Sequence, residues 1–245
     1  MKSVGRPLLS FLIVFSSLVL LPVAANAALI AITNTFASSE VSADRAAIHA
    51  TNGSNLNFIG TSGQDGDPSK YTHTGGGNNF GQFNVNWLSA NTGPDAQWLA
   101  VDLGGSYLLD FLNFFNFSTS GTANTNNGRG IQQGDIYYRT DSLGSNTHLN
   151  GSAFDSTGWT LLGTAGSQTF TLGPSNGSDA SPDTIALGGI TARYIAIDAN
   201  SNFAGGSNYA GIGEVQFFGT AIPEPGKASL LFLAGAFAAL RRRRE

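Results

Sequence analysis

The chain has 245 residues, a formal net charge of −4 and no cysteine. The lack of cysteine excludes a disulfide scaffold, a thiolate nucleophile and a cysteine-ligated zinc site. Charged residues make up only 11% of the chain, whereas glycine (32 residues), asparagine, serine and threonine are abundant. This composition favours turns and strands over helices, because glycine and asparagine are poor helix formers.

Residues 1–27 have the three-part pattern of a secretory signal peptide. Two cations, Lys2 and Arg6, precede the apolar run from Leu8 to Leu21. The predicted cleavage site follows and is formed by Ala25, Ala27 and Ala28. A retained membrane anchor is the alternative, but the apolar run is short for a span, which needs ~20 residues. The sequence therefore predicts export and removal of this segment.

The segment between the two ends, residues 28–220, is predicted to form one domain of ordinary size. It carries five Lys or Arg residues against fourteen Asp or Glu residues, which gives a net charge of −9. A domain this acidic, with a single lysine, is a poor nucleic-acid binder, because affinity for phosphate comes from clustered Lys and Arg. We therefore expect no nucleic-acid partner.

Short apolar and aromatic segments, separated by turn-forming residues, follow one another along this domain. The predicted strands are Leu29–Thr33, Trp98–Leu103, Tyr107–Phe117, Asp135–Thr140, Trp159–Leu162, Thr169–Leu172, Arg193–Asp198 and Gly213–Phe218. Gly104 and Gly105 are predicted to form a turn between the second and third strands. Ser42 to Thr51 is the best helix candidate, and it is short. Repeated short strands of this kind predict an all-β sandwich.

Residues 221–245 combine two prolines around a glutamate, an apolar run and a cluster of arginines. The apolar run, Ala228 to Leu240, can enter a bilayer, and the arginines after it hold the end on the cytoplasmic side. The prolines keep the glutamate in an extended backbone that a protease can read. The run is shorter than the ~20 residues of a full span, so we expect a transient anchor.

This C-terminal arrangement resembles the PEP-CTERM sorting signal. The matching residues are Pro223, Glu224, Pro225, Arg241, Arg242, Arg243 and Arg244. The resemblance implies processing by an integral-membrane exosortase, and secretion to the surface of a Gram-negative-type bacterium after transient inner-membrane anchoring. An ordinary C-terminal tail anchor is the alternative.

Residues suited to catalysis are sparse in this sequence. His49, His73 and His148 do not have metal-ligand spacing, and no G-x-S-x-G nucleophile elbow is present. Asp65 and Asp67 lie two apart in a polar loop, which does not readily supply the two opposed, fixed carboxylates of a glycosidase. We therefore predict no catalytic residues and no enzyme.

Several segments of the middle, taken in order, resemble the discoidin or coagulation-factor type C domain of the galactose-binding-like fold. The clearest is Gln97–Gly104, and the others include Arg129–Ile131 leading into Asp135–Tyr138, Ala192–Ile195, and Gly211–Gly219. The resemblance covers about Thr35 to Gly219 and implies a β-sandwich jelly roll of about eight strands. Many members of this fold bind glycans.

The same resemblance implies one structural calcium ion. The family's ion lies near the first loop and is closed by a glutamate near the last strand, which corresponds here to Asn52 and Glu214. Asn52 stands where the family often has aspartate, which weakens the neutralisation of the ion's charge. The alternative is that Asn52-Gly53 is a simple turn and Glu214 a satisfied strand carboxylate.

Aromatic side chains in polar loops are the candidate ligand-binding residues, because sugars stack on aromatic faces. They are Tyr71, His73, Phe203 and Tyr209. The alternative for each is a loop anchor packed on the sandwich, and Trp98 and Trp159 are expected in the core. The leading interpretation is a non-catalytic module that binds carbohydrate, such as an exopolysaccharide, or another cell-surface or matrix ligand. A structural matrix protein without a small ligand is the main alternative, and a secreted glycoside hydrolase is a third.

Overall fold

The computed structural model describes residues 27–53, 56–58, 71–74, 86–118, 126–175, 179–205 and 208–222. Most of the predicted signal segment, including Ala25, lies outside these ranges. The sorting residues from Pro223 to Arg244 also lie outside them. Within the described ranges, no helix is long and apolar enough to cross a membrane.

The described residues contain twelve strands and four 3₁₀ helices. The strands are β1 (Ala28–Ile30), β2 (Asn34–Ala37), β3 (Leu56–Phe58), β4 (Tyr71–Thr74), β5 (Trp87–Leu88), β6 (Gln97–Asn116), β7 (Ile131–Arg139), β8 (Thr160–Leu161), β9 (Gln168–Thr169), β10 (Asp179–Ala180), β11 (Asp183–Asn202) and β12 (Gly211–Ala221). The 3₁₀ helices are Ala43–Arg45, Ala47–Ala50, Pro94–Ala96 and Asn126–Arg129. Two of these short helices occupy the segment predicted to be helical, where Ala47 and Ala50 are buried.

The 20-residue strands β6 and β11 form an antiparallel ribbon that is folded over the core. In the first half of the sandwich, the N-terminal part of β6 lies between β2 and β11. β7 pairs with the other side of β11, and β8 and β9 pair with the far edge of β7. In the second half, the C-terminal part of β6 lies between β11 and β12. β12 in turn pairs with β1 and β5. The two halves enclose one core, which confirms the predicted all-β sandwich.

The carboxylate of Asp102 holds the corner at which the ribbon folds. It accepts hydrogen bonds from the backbone N–H of Gly104 at 2.8 Å and from Nε and Nη2 of Arg193 at 2.8 and 2.9 Å. The hydrogen bond from Arg193 lowers the pKa of Asp102, against the opposing effect of burial. Arg193 lies at the register shift of β11 between Ala192 and Tyr194. One carboxylate therefore fixes both strands at the corner.

The predicted turn at Gly104 and Gly105 was wrong, because both glycines lie within the continuous strand β6. Gly104 has a φ of 77°, a conformation that glycine adopts at little cost. This lets the chain turn the corner while its pairing with β11 resumes on the other side.

Three apolar clusters divide the packing of the sandwich. The main core between the two halves includes Trp87, Leu99, Phe114 and Phe217. A second cluster, on the outer face of the first half, contains Trp98 and Trp159, as predicted for these two tryptophans. A third lies on the outer face of the second half, where the small sheet β3–β4–β10 covers it; its buried members are Tyr71, Phe115, Ala180 and Phe218.

Replacement of Gly104 by alanine tests the corner. An added Cβ would clash with Oγ1 of Thr33 as well as force a side chain into a positive φ. Gly151→Ala is the matched control, because Gly151 has a similar φ of 67° and no atom within 4 Å of an added Cβ. We expect the control to lose ~1–2 kcal/mol of unfolding free energy, and Gly104→Ala to lose about 1–3 kcal/mol more. Urea unfolding measures both, and equal losses would contradict the assigned corner.

Candidate functional site

Four strand ends meet at one end of the sandwich. The last residue of β6, Asn116, donates from Nδ2 to the backbone carbonyl of Ile131 in β7 at 2.7 Å. A β-bridge joins Gly130, just before β7, to Gly211, the first residue of β12. The loop end, as we call this region, consists of Arg45, Asn86, Phe117, Ser118, Asn126–Arg129, Gly130, Phe203 and Tyr209.

Backbone contacts hold the loops of this end against one another. The N–H of Phe203 donates to the carbonyl of Gly130 at 3.3 Å, and the N–H of Ala204 donates to that of Gly128 at 2.8 Å. Gly128 permits this approach, because a Cβ there would lie 3.0 Å from the Cβ of Ala204. The loop after β11 is therefore tied to the 3₁₀ helix before β7.

Arg129 lies on the face of Tyr209, with its guanidinium carbon 4.7 Å from the ring centroid. The backbone carbonyl of Tyr209 in turn accepts a hydrogen bond from Nδ2 of Asn202 at 2.7 Å, which fixes this residue to the end of β11. Among the described residues, the Arg129 guanidinium makes no hydrogen bond and no ion pair. Its donors are therefore available to a ligand.

Arg45 forms the second cationic part of the loop end. It donates to Oδ1 of Asn86, and its guanidinium carbon lies 5.9 Å from the centroid of the Phe117 ring. Burial lowers the pKa of the Arg45 guanidinium, the positive charge of Arg129 lowers it further, and the negative charge of Asp44 opposes both effects. The two guanidinium groups are therefore close enough to repel each other.

Two buried polar groups beside these cations lack hydrogen-bond partners within the described part of the chain. They are Nδ2 of Asn86 and Oγ of Ser118, in side chains that are fully buried. A buried donor without a partner is costly. Both atoms are buried, so they lie below the surface of the loop end and not on it.

Two of the four predicted ligand-binding aromatics, Phe203 and Tyr209, lie together at the loop end, and both are partly exposed. The predicted loop position of the other two, Tyr71 and His73, was wrong. Both lie on β4 and are buried, Tyr71 against Phe218 at 5.9 Å and His73 against Phe115 at 6.0 Å between ring centroids. The pairing of β4 with β3 and β10 turns them toward the sandwich, so they cover its outer face.

The sequence predictions missed the polar residues of the site, namely Arg45, Asn86, Ser118 and Arg129. A signal for two of them was present, because Arg45 and Arg129 are two of only five cations in a strongly acidic domain. For Asn86 and Ser118 the sequence offered no signal, since asparagine and serine are abundant throughout the chain.

The predicted calcium residues, Asn52 and Glu214, line one cavity of about 360 Å³. Glu214 is 1% exposed, and its Oε1 accepts a hydrogen bond from the N–H of Gly53 at 3.1 Å. Its Oε2 has no partner in the described part of the structure. Burial raises the pKa of Glu214 well above its usual value, and the hydrogen bond from Gly53 opposes this.

Glu214 is the one acidic residue among the described residues that line this cavity, and more than half of the others are apolar. Thr51, Asn52 and Gln216 line it together with Glu214. No group of three or more His, Asp or Glu that could hold a metal occurs in the described ranges. A calcium ion held here would have one carboxylate ligand and would depend on carbonyl and amide oxygens for the rest.

Asp135 and Asp198 form a pair of acids on neighbouring strands, directly opposite each other in the register of β7 and β11. Asp135 is satisfied, since its oxygens accept hydrogen bonds from the N–H of Gly166 at 2.5 Å and from Nδ2 of Asn200 at 3.2 Å. Oδ1 of Asp198 is buried without a partner among the described residues. Burial, followed by the charge of Asp135, raises the pKa of Asp198 from 3.8 to about 7.

No protein-family model matches the sequence, and no curated protein matches it. Solved structures do show a similarity. The family 32 carbohydrate-binding module of Clostridium perfringens NanJ, in complex with galactose, is 17% identical with a TM-score of 0.45, over 78% of this chain and 98% of that one. Chitosan-binding module 1 of a Paenibacillus sp. IK-5 chitosanase/glucanase is 20% identical with a TM-score of 0.43, over 78% and 96%.

A third solved structure is the family 32 module of AlyQ in complex with 4,5-unsaturated mannuronic acid. It is 17% identical with a TM-score of 0.40, over 78% of this chain and 97% of that one. At these values the similarity is remote. The fold is therefore taken from the strand topology itself, and the ligands of the three modules are not transferred by similarity.

Asp198→Asn tests the acid pair through the pH dependence of stability. The pKa of Asp198 is higher in the folded state than in the unfolded state, so the folded state keeps a proton that the unfolded chain releases. The free energy of unfolding should therefore fall as the pH rises from about 4 to about 7. The asparagine side chain cannot ionise, so the variant should lose this slope and be more stable than the wild type at pH 8.

Urea unfolding at pH 4.5, 6 and 8 measures the effect. Asp110→Asn is the matched control, because Asp110 is an exposed acid on β6, and it should leave the slope unchanged. A parallel pH profile for wild type and Asp198→Asn would show that the acid at this position is not destabilised by burial.

Proposed function

We propose that this chain is an exported, non-catalytic protein whose β-sandwich binds carbohydrate at the loop end. The observation that carries the proposal is the position of the Arg129 guanidinium on the Tyr209 ring. This guanidinium has no ion-pair partner among the described residues. Phe203 adds a second partly exposed aromatic side chain to this end. Phe203 and Tyr209 are also two of the aromatic residues that the sequence predicted for ligand binding.

The physical fit to a sugar rests on two kinds of contact. Apolar faces of a sugar ring pack against aromatic side chains, and its hydroxyl groups accept hydrogen bonds from fixed donors. A guanidinium stacked on a ring offers several donors in a fixed plane, so little side-chain entropy is lost on binding. Arg129 on Tyr209 has this arrangement.

Export and sorting rest on the sequence of the two ends. We propose cleavage between Ala27 and Ala28, and exosortase processing at Pro223, Glu224 and Pro225. β12 begins at the loop end with Gly211 and leads to Ala221, next to the sorting segment. Ten residue steps in a strand span about 33 Å. A molecule held by its C-terminal segment would therefore present the loop end away from the membrane.

A glycoside hydrolase is less well supported than a binding module. Among the described acids, Asp135 and Asp198 are the pair most similar to the acid and base of a glycoside hydrolase, because the pKa of Asp198 is raised. Asp135 is 7% exposed, however, and both of its oxygens already accept hydrogen bonds from the protein. Because Asp135 is buried and hydrogen-bonded in this way, we propose a structural role for the pair.

Arg129→Ala tests the carbohydrate site. The purified protein is screened against a polysaccharide array that includes the producing cell's own polymer, and affinity for the best ligand is measured by calorimetry. Loss of the hydrogen bonds from a charged donor, typically ~1.5–3 kcal/mol, should weaken binding by at least about tenfold.

Arg139→Ala is the matched control for this experiment. Arg139 is the last residue of β7, at the far end of that strand from Ile131, and it is already paired with Asp141 at 2.6 and 2.8 Å. Its replacement should leave binding unchanged. If the wild type binds no polysaccharide, the matrix protein without a small ligand becomes the better interpretation.

We also propose that the cavity of Asn52 and Glu214 holds a structural calcium ion. Glu214 would supply the anionic ligand and Asn52 a neutral one, and the ion would stabilise the segment after the second 3₁₀ helix against β12.

Calcium should raise the melting temperature of the wild type and EDTA should lower it, since a ligand that binds only the folded state stabilises that state. Glu214→Gln should abolish this response, while Asp95→Asn, at an exposed acid, should keep it. An unresponsive wild type removes the site.

A further inference from the structure

The arginines of the domain differ in how their charge is balanced. Arg193 forms two hydrogen bonds to Asp102, at 2.8 and 2.9 Å, and Arg139 forms two to Asp141, at 2.6 and 2.8 Å. Each of these guanidinium groups is neutralised by a facing carboxylate. Arg129 is different, because its guanidinium faces an aromatic ring and makes no ion pair with any described residue.

A second cation adds to this charge at the loop end. Arg45 is near enough for Arg129 to affect its ionisation, it donates to the neutral amide oxygen of Asn86, and the neighbouring carboxylate of Asp44 offsets part of its charge. Like charges placed together in a partly buried site repel each other. A bound anion would relieve this repulsion, whereas a neutral ligand would leave it in place.

The net charge of the surrounding domain makes the unpaired guanidinium of Arg129 unusual. The segment 28–220 has a net charge of −9, so most of its surface repels a polyanion. Binding of an acidic polymer would therefore be favoured at Arg129, whose guanidinium makes no ion pair with a described residue. Guanidinium groups suit this task, because their planar donors match a carboxylate or a sulfate with two parallel hydrogen bonds.

We propose that the loop end selects an anionic sugar residue, a uronate or a sulfated sugar, whose charged group is bound by Arg129 with the support of Arg45. The proposal rests on the carbohydrate site proposed above and specifies its ligand class. The sugar ring of the same residue packs near the aromatic side chains of Tyr209 and Phe203. Uronate and sulfate share the chemistry that the two arginines recognise, so the experiment separates them.

The test compares polymers that differ only in charge. Calorimetry is carried out in EDTA-containing buffer on the full purified protein, first with polygalacturonate and then with the same polymer after reduction of its carboxyl groups. A sulfated galactan and its desulfated form make the second pair. We expect the wild type to bind at least one charged polymer about tenfold or more tightly than its neutral counterpart, and this preference should shrink at high salt.

Arg129→Gln identifies the residue responsible, because glutamine keeps a planar donor but loses the charge. This variant should bind the charged and neutral forms equally. Arg139→Gln should keep the wild-type ratio of the affinity for the charged polymer to that for its neutral counterpart. A ratio for Arg129→Gln that equals the wild-type ratio, with thermal unfolding unchanged, overturns the assignment to Arg129.

The wild-type ratios test the proposal even if a variant fails to fold. Preference for the uronate pair or for the sulfate pair supports it and identifies the anion. Equal or tighter binding of the neutral polymers overturns it and leaves the carbohydrate site standing. Absence of binding to all four polymers and to the polysaccharide array overturns both the anion preference and the carbohydrate site.

Discussion

The fold depends on one carboxylate at the corner of one ribbon. Asp102 bonds Gly104 on its own strand and Arg193 on the neighbouring strand, at the place where β6 and β11 cross from one half of the sandwich to the other. At the corner, four unpaired residues of β6 lie opposite one unpaired residue of β11. Without the hydrogen bonds of Asp102, nothing in the described part of the chain would fix the geometry of this mismatch. The position of the corner sets how far each strand reaches, and therefore where the strand ends meet at the loop end.

The sequence motif that resembled a discoidin-type domain has a physical explanation in this corner. The segment Asp102-Leu103-Gly104 supplies the carboxylate, a buried core side chain and the glycine with positive φ. The later segment Ala192-Arg193-Tyr194 supplies the guanidinium that completes the corner. The two motifs lie about ninety residues apart in sequence and act as one structural unit, so their common occurrence predicts the fold better than either alone.

Local patterns predicted parts of the long strands, but they missed the short strands β2, β3, β4, β5 and β10 and the continuity of the ribbon. Alternation of apolar residues placed Trp98–Leu103 and Tyr107–Phe117 in strands, but a Gly-Gly step reads as a turn in any local window. Likewise, Tyr71 and His73 stand in a polar stretch, and only their pairing in the small sheet brings them into contact with Phe218 and Phe115. Long-range pairing decided both cases, and no local pattern encodes it.

The candidate site was hidden for the same reason, since its residues come from five separate segments. Tyr209 could be found as an aromatic residue in a loop. Its proposed role in the site, however, depends on Arg129, which is eighty residues earlier in the sequence and lies on its ring. The backbone at this end is fixed by contacts such as the hydrogen bond from Asn116 to Ile131, which tie the strand ends to each other. A guanidinium held on such a frame is already ordered before a ligand arrives, so less of the binding free energy is lost to ordering the site. The corner at Asp102 and the arginine at Arg129 are thus linked: the first fixes the ribbon whose ends hold the second in place.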